Sequence, residues 1–323
     1  QAGHLTVLDG GQIATSTEGP GQGGAILIKV ADTITLSGAD ALGYPSRITA
    51  DSWSEKDNAG VGGTIDLESS QLILFSGGQI SASTHGPGDG GALTIKTDTL
   101  QIFGIGVDAL PNPFPDSPPA VFAKSSGIYS QSFSDKENAG TAGEISIKAQ
   151  TLEITDHGQI ATDTSHAGGG NIALQVPRLL RLHNGDISTS VKGGSGKGGN
   201  IMIYQPMFIV LDDARVIAKA DKGQGGNIIV YADQFVLAPS SLVSASSRAG
   251  IAGHVVINSP DNNISGNLMA LQTRPLNADE IEILCSRQVD GHKSHFIMIP
   301  LRNITIFPGD WQVRPVSKPK FPR

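Results

Sequence analysis

The sequence predicts an all-β protein, a parallel β-helix of about eight three-strand coils. A stretch from 10 to 38, GGQIATSTEGPGQGGAILIKVADTITLSG, returns from 77 to 104 as GGQISASTHGPGDGGALTIKTDTLQIFG and continues in looser forms to about Ile257. Within each copy apolar and polar residues alternate with period two, as strands require. The 41 glycines and the low charged fraction of 16% favour dense turns over helices. Such units bury their apolar edges against their neighbours, so the repeats are expected to stack.

Three series of aliphatic anchor residues define the three strands of each coil. Members of the second series recur every 27 to 29 residues from Ile145 onward, which makes one repeat about one coil. The first series is Ile13, Ile48, Ile80, Ile128, Ile160, Ile187, Val216 and Val243; the second is Ile26, Ile65, Leu93, Ile145, Ile172, Ile201, Ile228 and Val255; the third is Ile34, Leu72, Leu100, Leu152, Leu180, Ile209 and Phe235.

Glycine-rich stretches such as 19–24 and 193–199 lie between the first and second strands of a coil. Glycine tolerates positive φ, so these stretches are predicted to be tight corners with positive-φ glycines. The inward residues after each first anchor are small, for example Thr15, Ser52 and Thr84. Their hydroxyls need partners, and we expect them to form ladders between coils.

The predicted solenoid covers residues 1–258, with loop insertions near 38–47 and 104–127, each after a third strand. Both insertions lead into near-identical sequences, 52–67 and 132–147, which indicates a duplicated two-coil unit. The repeat stops at 259. A solenoid end exposes an open strand edge, so 259–323 is predicted to form a C-terminal cap and an extended tail. The short lead before the first repeat suggests a piece of a longer chain.

Charge and cysteine content exclude several classes of function. The net charge of -7 comes without a basic block, so no nucleic-acid partner is expected. Cys285 is the single cysteine, which rules out an internal disulfide framework. We expect a buried structural thiol there, with an intermolecular disulfide as the alternative. No apolar run reaches the roughly 20 residues of a membrane-spanning helix.

The repeat pattern G-x-I-x-T-x-T-x-G-x-G-x-G-G-x-I-x-I, followed by L-x-L-x-x-G, resembles the C-terminal repeats of filamentous haemagglutinin-like exoproteins of two-partner secretion systems. Further likenesses are SPDNNISGNL at 259–268, Cys285 with Arg287, and FPGD at 307–310. The G-R-G-G run usual in that family is replaced here by PLRNITI. The resemblance implies a right-handed parallel β-helix that is exported by an outer-membrane partner transporter. It also implies a secreted or cell-surface location and a role in adhesion.

Candidate chemistry is sparse. Asp51 and Asp163 lie on the outward face of the first strand but three coils apart, about 14 Å by strand spacing. Paired carboxylates that share a glycosidic bond stand closer, so no catalytic residues are predicted. No metal or cofactor site is predicted either, because the candidate ligands are scattered over turns. These are His85, His157, His166 and His183. An outward column of Lys29, Glu68, Lys96 and Lys148 is interpreted as a surface salt ladder in preference to a polyanion-binding stripe.

Aromatic residues in or beside the two enlarged coils are the candidate partner-binding residues, because a rigid scaffold concentrates binding on its loops. They are Tyr44, Trp53, Phe114, Phe122 and Phe133. The alternative is that these rings only fix the loops to the rod.

The sequence therefore predicts a non-enzymatic structural or adhesive exoprotein, with a host-surface or matrix glycan or protein as receptor. One alternative is a carbohydrate-binding or polysaccharide-processing β-helix. The other is a subunit of an extracellular filament, joined by end-to-end self-association.

Overall fold

The structure, a computed structural model, describes residues 2–109 and 121–260, and the side chains of all of these except 107–109 and 121–123. These residues belong to the first of two units of the chain, Gln1–Met269 and Ala270–Arg323, and only that unit is described. All its regular elements are strands, and they form a parallel β-solenoid of about eight coils. The predicted cap and tail at 261–323 and Cys285 lie outside the described residues.

The first strands of the eight coils form one parallel sheet. Every strand has three residues, and the first-series anchors pair in register from Ile13↔Ile48 to Val216↔Val243. In order along the sheet the strands are β2 (Gln12–Ala14), β4 (Arg47–Thr49), β6 (Gln79–Ser81), β10 (Gly127–Tyr129), β12 (Gln159–Ala161), β15 (Asp186–Ser188), β18 (Arg215–Ile217) and β21 (Leu242–Ser244).

The second and third strands run together in the first four coils, which the sequence did not predict. Each of these coils has a single long strand. Before the first coil lies β1 (Ala2–Leu8), which pairs with the C-terminal half of β3. Inside these strands the pairing skips at the bend, between Lys29 and Thr33 in β3. The long strands are β3 (Ala25–Ser37), β5 (Thr64–Phe75), β7 (Leu93–Phe103) and β11 (Ile145–Thr155).

From the fifth coil the long strand divides in two. Pro177 and Pro206 fall between the two halves in coils five and six, and proline lacks the N–H that a continuous ladder needs. The second strands are β13 (Ile172–Gln175), β16 (Ile201–Tyr204), β19 (Ile228–Tyr231) and β22 (Val255–Asn258). The third strands are β14 (Leu179–His183), β17 (Phe208–Asp212) and β20 (Gln234–Leu237).

The predicted anchors form the core. Second-series and third-series residues pair along their ladders as predicted, for example Ile65↔Leu93 and Leu152↔Leu180. Most of these side chains are fully buried and belong to one continuous cluster. Like residues therefore stack on like along the rod, which is how a repeat buries apolar surface without a globular centre.

The glycine-rich corners lie where predicted, but the reason for most of the glycines is different. Only Gly194 among the corner glycines has positive φ; the other positive-φ glycines, such as Gly38 and Gly77, lie at turns after third strands. From the second coil onward, at least one glycine per coil instead packs on the carbonyl of its equivalent in the preceding coil. A Cβ at Gly199 would lie 1.8 Å from the Gly170 oxygen. This glycine column begins at Gly24 and continues with Gly63, Gly91, Gly143, Gly170, Gly199, Gly226 and Gly253.

The inward hydroxyls do not form the predicted ladder between coils. Equivalent side chains are separated by the strand spacing of about 4.8 Å, which exceeds hydrogen-bond length. Several hydroxyls donate to corner carbonyls of their own coil instead, as Thr162 does to Gly170 and Thr189 to Gly199, both at 2.7 Å. Ser130 donates to Gly91 of the preceding coil at 2.7 Å, and the Thr15 hydroxyl has no partner among the described residues.

An asparagine ladder lies beside the glycine column in the later coils. The Oδ1 of Asn171 accepts hydrogen bonds from the backbone and side-chain N–H groups of Asn200, and Asn200 does the same for Asn227. His254 N–H donates to Asn227 in the next coil. The sequence signal is the recurring Gly-Asn-Ile, whose meaning is visible only when the coils are stacked.

Candidate functional site

Trp53, His85 and Phe133 form a stack of rings on the outer surface of three successive coils. Each is the fifth residue after a first-series anchor, so strand register places them one above another. The Trp53 and His85 centroids are 4.1 Å apart, and those of His85 and Phe133 are 4.8 Å apart. Trp53 is 40% exposed and Phe133 is 48% exposed. We call these three residues the aromatic column.

Two protruding corners flank the aromatic column. The duplicated segments 54–61 and 134–141, here called the arms, leave the rod at coils two and four, while coil three has a shorter corner. The arms meet across it: Lys136 Nζ lies 3.8 Å from Glu55 Oε2, and Asn138 Nδ2 donates to Asp57 Oδ1 at 3.2 Å. The intervening corner also takes part, because Asp89 Oδ1 accepts from the backbone and hydroxyl of Thr141.

The pKa of His85 is lowered from its ordinary value. Burial between two rings is the main cause, because it disfavours the imidazolium, while the charges of Asp51 and Glu55 oppose the shift. His85 is therefore the neutral middle ring of the aromatic column at neutral pH. Arg47 adds a cation at one end, with its guanidinium carbon 5.8 Å from the Trp53 ring centre.

The predicted partner-binding residues do not form one contiguous edge in the described part of the chain. Trp53 and Phe133 come together around His85, which was not among the predicted set. Tyr44 belongs to a second cluster, where Lys124 Nζ lies 5.9 Å from its ring and donates to the Gly43 carbonyl at 3.3 Å.

The second insertion contributes a hairpin to that second cluster. It contains the antiparallel pair β8 (Ile105–Ala109) and β9 (Val121–Ser125). Phe122 belongs to β9, but its side chain lies outside the described part, as does the whole of Phe114.

The two outward aspartates of the first-strand sheet are hydrogen-bond acceptors between coils. Asp51 Oδ1 accepts from the Ser83 N–H and the Ser81 hydroxyl, both at 2.6 Å. Asp163 Oδ1 accepts from the Ser190 N–H at 2.7 Å and the Ser188 hydroxyl at 2.5 Å. Their shared position, three residues after the anchor, explains why the same carboxylate serves the same purpose in coils two and five.

The predicted salt ladder is present over only part of its length. Lys29 Nζ and Glu68 Oε2 are 2.9 Å apart, and the hydrogen bond from Lys29, with its charge, lowers the pKa of Glu68. Further along the column two lysines are register partners, Lys96 and Lys148. This pair lines a cavity of about 630 Å³ at the bend of the long strands.

The histidines named as candidate metal ligands are dispersed. His183 Nδ1 is 2.9 Å from Asp212 Oδ2, and His157 contacts Asn184. Within residues 2–109 and 121–260 no three His, Cys, Asp or Glu side chains are grouped so as to hold a metal ion. The same part of the chain contains no helix that could cross a membrane.

These features define the described part of the chain as a parallel β-solenoid. Its body is repetitive, and the corners of coils two to four carry the arms and the aromatic column. No protein-family model matches it, nor does any curated protein or solved structure.

Proposed function

We propose that this chain is a non-enzymatic structural and adhesive segment of a secreted or surface-displayed exoprotein. The observation that carries the proposal is the contrast between body and corner. The body is a stack whose coils pack closely along the glycine column. The aromatic column, flanked by the arms, presents exposed rings in fixed positions. A rigid rod that presents protruding aromatic residues suits a stalk or matrix component that binds a host-surface or matrix receptor.

The outward carboxylate of Asp51 supports a non-catalytic role. Asp51 is only 3% exposed, and both its oxygens accept hydrogen bonds, Oδ2 from the Thr49 hydroxyl at 2.5 Å. A carboxylate engaged in this way is poorly placed to exchange protons with a substrate. We therefore expect no release of reducing or unsaturated ends when the protein is incubated with neutral or acidic polysaccharides. Release of such ends would contradict the proposal.

Adhesion is tested with the double variant Trp53→Ala/Phe133→Ala. Beads coated with the protein are applied to immobilised matrix proteins and glycans, and the retained fraction is measured. We expect the variant to lose at least about tenfold in retention, because large exposed aromatic residues dominate binding energies. The matched control is Tyr204→Ala/Tyr231→Ala, which removes two exposed rings, also register partners, from another face.

Two outcomes would contradict this use of the aromatic column. One is equal retention of wild-type and Trp53→Ala/Phe133→Ala beads. The other is equal loss in both double variants, which would indicate nonspecific adsorption through exposed rings. Thermal unfolding of each variant checks that the rod remains folded, because the exposed rings contribute little to the core.

A further inference from the structure

A polar groove of about 510 Å³ lies on the outer face of the first-strand sheet, across coils four to seven. Small residues of coils five and six line it, Ala161, Ser188 and Ser190. Larger side chains also line it, Gln131 in coil four and Lys219 in coil seven. The groove shares no residue with the aromatic column, which lies on coils two to four, but the two are neighbours on coil four, where Gln131 precedes Phe133 by two residues.

One substitution in the repeat leaves a carboxylate oxygen available in this groove. In coil two, Thr49 donates its hydroxyl to Asp51 Oδ2, so that both oxygens of Asp51 have partners. In coil five the residue equivalent to Thr49 is Ala161, which has no hydroxyl. Asp163 uses Oδ1 for Ser188 and Ser190, and its Oδ2 has no partner among the described residues. Asp163 Oδ2 is also not one of the buried polar atoms that lack partners in the described chain, so solvent reaches it.

Three cationic side chains also line the groove. Arg215 forms a two-point contact with Asp186, which fixes its guanidinium at the groove wall and raises its pKa. Lys192 and Lys219 also line the groove, and neither forms an ion pair with any described residue. The remaining carboxylate of the lining, Asp221, is paired with Arg248. The groove therefore offers one free carboxylate oxygen and two free ammonium groups.

We propose that this groove binds a saccharide unit of an acidic, uronate-containing glycan. A sugar hydroxyl can donate a hydrogen bond to Asp163 Oδ2, and the oxygens of the sugar can accept hydrogen bonds from amide and ammonium groups. The sugar carboxylate complements Lys192 and Lys219, which form no ion pair with any described residue. The volume is within the range of small-ligand sites, and the polar lining matches a polyhydroxylated ligand better than an apolar one. The groove would thus be a second binding surface of the proposed adhesive segment, and acidic glycans would be its class of ligand.

The test uses oligogalacturonate as probe and titration calorimetry on the full chain. The wild-type protein is expected to bind it more tightly than a neutral glucan oligosaccharide of the same length. Ala161→Thr should weaken binding at least about tenfold, because its hydroxyl would take up Asp163 Oδ2 as Thr49 does for Asp51. Lys219→Gln should weaken binding to a similar extent by removing an ammonium group.

Matched controls separate the groove from general charge effects. Lys29→Gln removes one positive charge at another face, and Asp51→Asn changes the equivalent aspartate outside the groove; both should retain wild-type affinity. Urea unfolding verifies that Ala161→Thr remains folded. Absence of oligogalacturonate binding by wild-type protein, or unchanged affinity in both Ala161→Thr and Lys219→Gln, would overturn the proposal.

The two proposals fail independently. Unchanged adhesion of the aromatic-column variant with intact oligogalacturonate binding would overturn the role of the aromatic column alone. Loss of adhesion in that variant with no oligogalacturonate binding by the wild-type protein would overturn the groove inference alone.

Discussion

At the scale of single residues, His85, which lies between two aromatic rings, makes the stability of the fold depend on pH. Burial favours neutral His85, so its pKa in the folded chain lies below that in the unfolded chain. The unfolded chain then binds the proton more readily as pH falls. The contribution of His85 to stability is complete above the unfolded value, near 6.5, and is lost as pH falls towards the folded value.

The first prediction concerns that loss. Between pH 7 and pH 5 the wild-type urea midpoint should fall more steeply than that of His85→Phe, which keeps a ring in the stack and removes the titration. Urea unfolding followed by far-ultraviolet circular dichroism at several pH values measures the difference. His183→Phe is a control for an exposed histidine. Parallel pH profiles for the wild type and His85→Phe would contradict the role of His85.

At the scale of the structural element, the glycine column determines how closely successive coils approach one another. Gly199 packs on the Gly170 carbonyl with no room for a Cβ, and its N–H donates to the Thr189 carbonyl. Gly21, in the corner of the first coil, lacks positive φ, and a Cβ added to it would meet no described atom within 4 Å. The same residue type in similar corners is therefore required in one place and replaceable in another.

The second prediction follows from that contrast. Gly199→Ala should lower the free energy of unfolding by about 3 kcal/mol, because overpacking forces neighbouring coils apart. Gly21→Ala should change it by less than about 0.5 kcal/mol, as expected for an unconstrained surface site. Urea titration of both variants provides the comparison. Equal effects would show that corner glycines are needed for a reason other than close approach.

At the scale of the whole molecule, the described part of the chain is a linear stack, so a disturbance should act according to its position along that stack. Each coil pairs only with the coil before and the coil after it, from β2 to β21 in the first sheet. Stability in such a stack is close to a sum of coil terms and interface terms. Weakening a central interface separates the two halves energetically, whereas weakening a terminal one only frays an end.

The third prediction tests this linear arrangement. Gly170→Ala, in coil five, should reduce amide protection in both adjacent coils and broaden the unfolding transition or divide it into two. Gly253→Ala, in coil eight, places a Cβ equally close to a carbonyl, 1.9 Å from Gly226 O, but should affect protection only near 228–258. Native-state hydrogen exchange with mass spectrometry resolves these patterns. Loss of protection along the whole rod in both variants would contradict coil-by-coil stability.

The sequence predicted the strand registers well because a period of two and a repeat near 27 residues specify both the buried face and the stacking partner. It also placed the glycine-rich corners between the first and second strands. Partner binding by the candidate residues Trp53 and Phe133 stays a prediction. It missed the fused strands of the first four coils, the reason for the corner glycines and the inclusion of His85 in the aromatic column. Each of these depends on a neighbour in another coil.

The sequence by itself determined that this chain is a stacked β-solenoid, because alternation and repetition are properties of the order of residues. Only the tertiary structure decided which residues meet across coils. Segments of unequal length separate Trp53, His85 and Phe133 along the chain, and strand register brings them into one column. The same register brings Ser81 and Ser83 to Asp51, and Ser188 and Ser190 to Asp163. These contacts depend on distance in space, which the one-dimensional pattern does not contain.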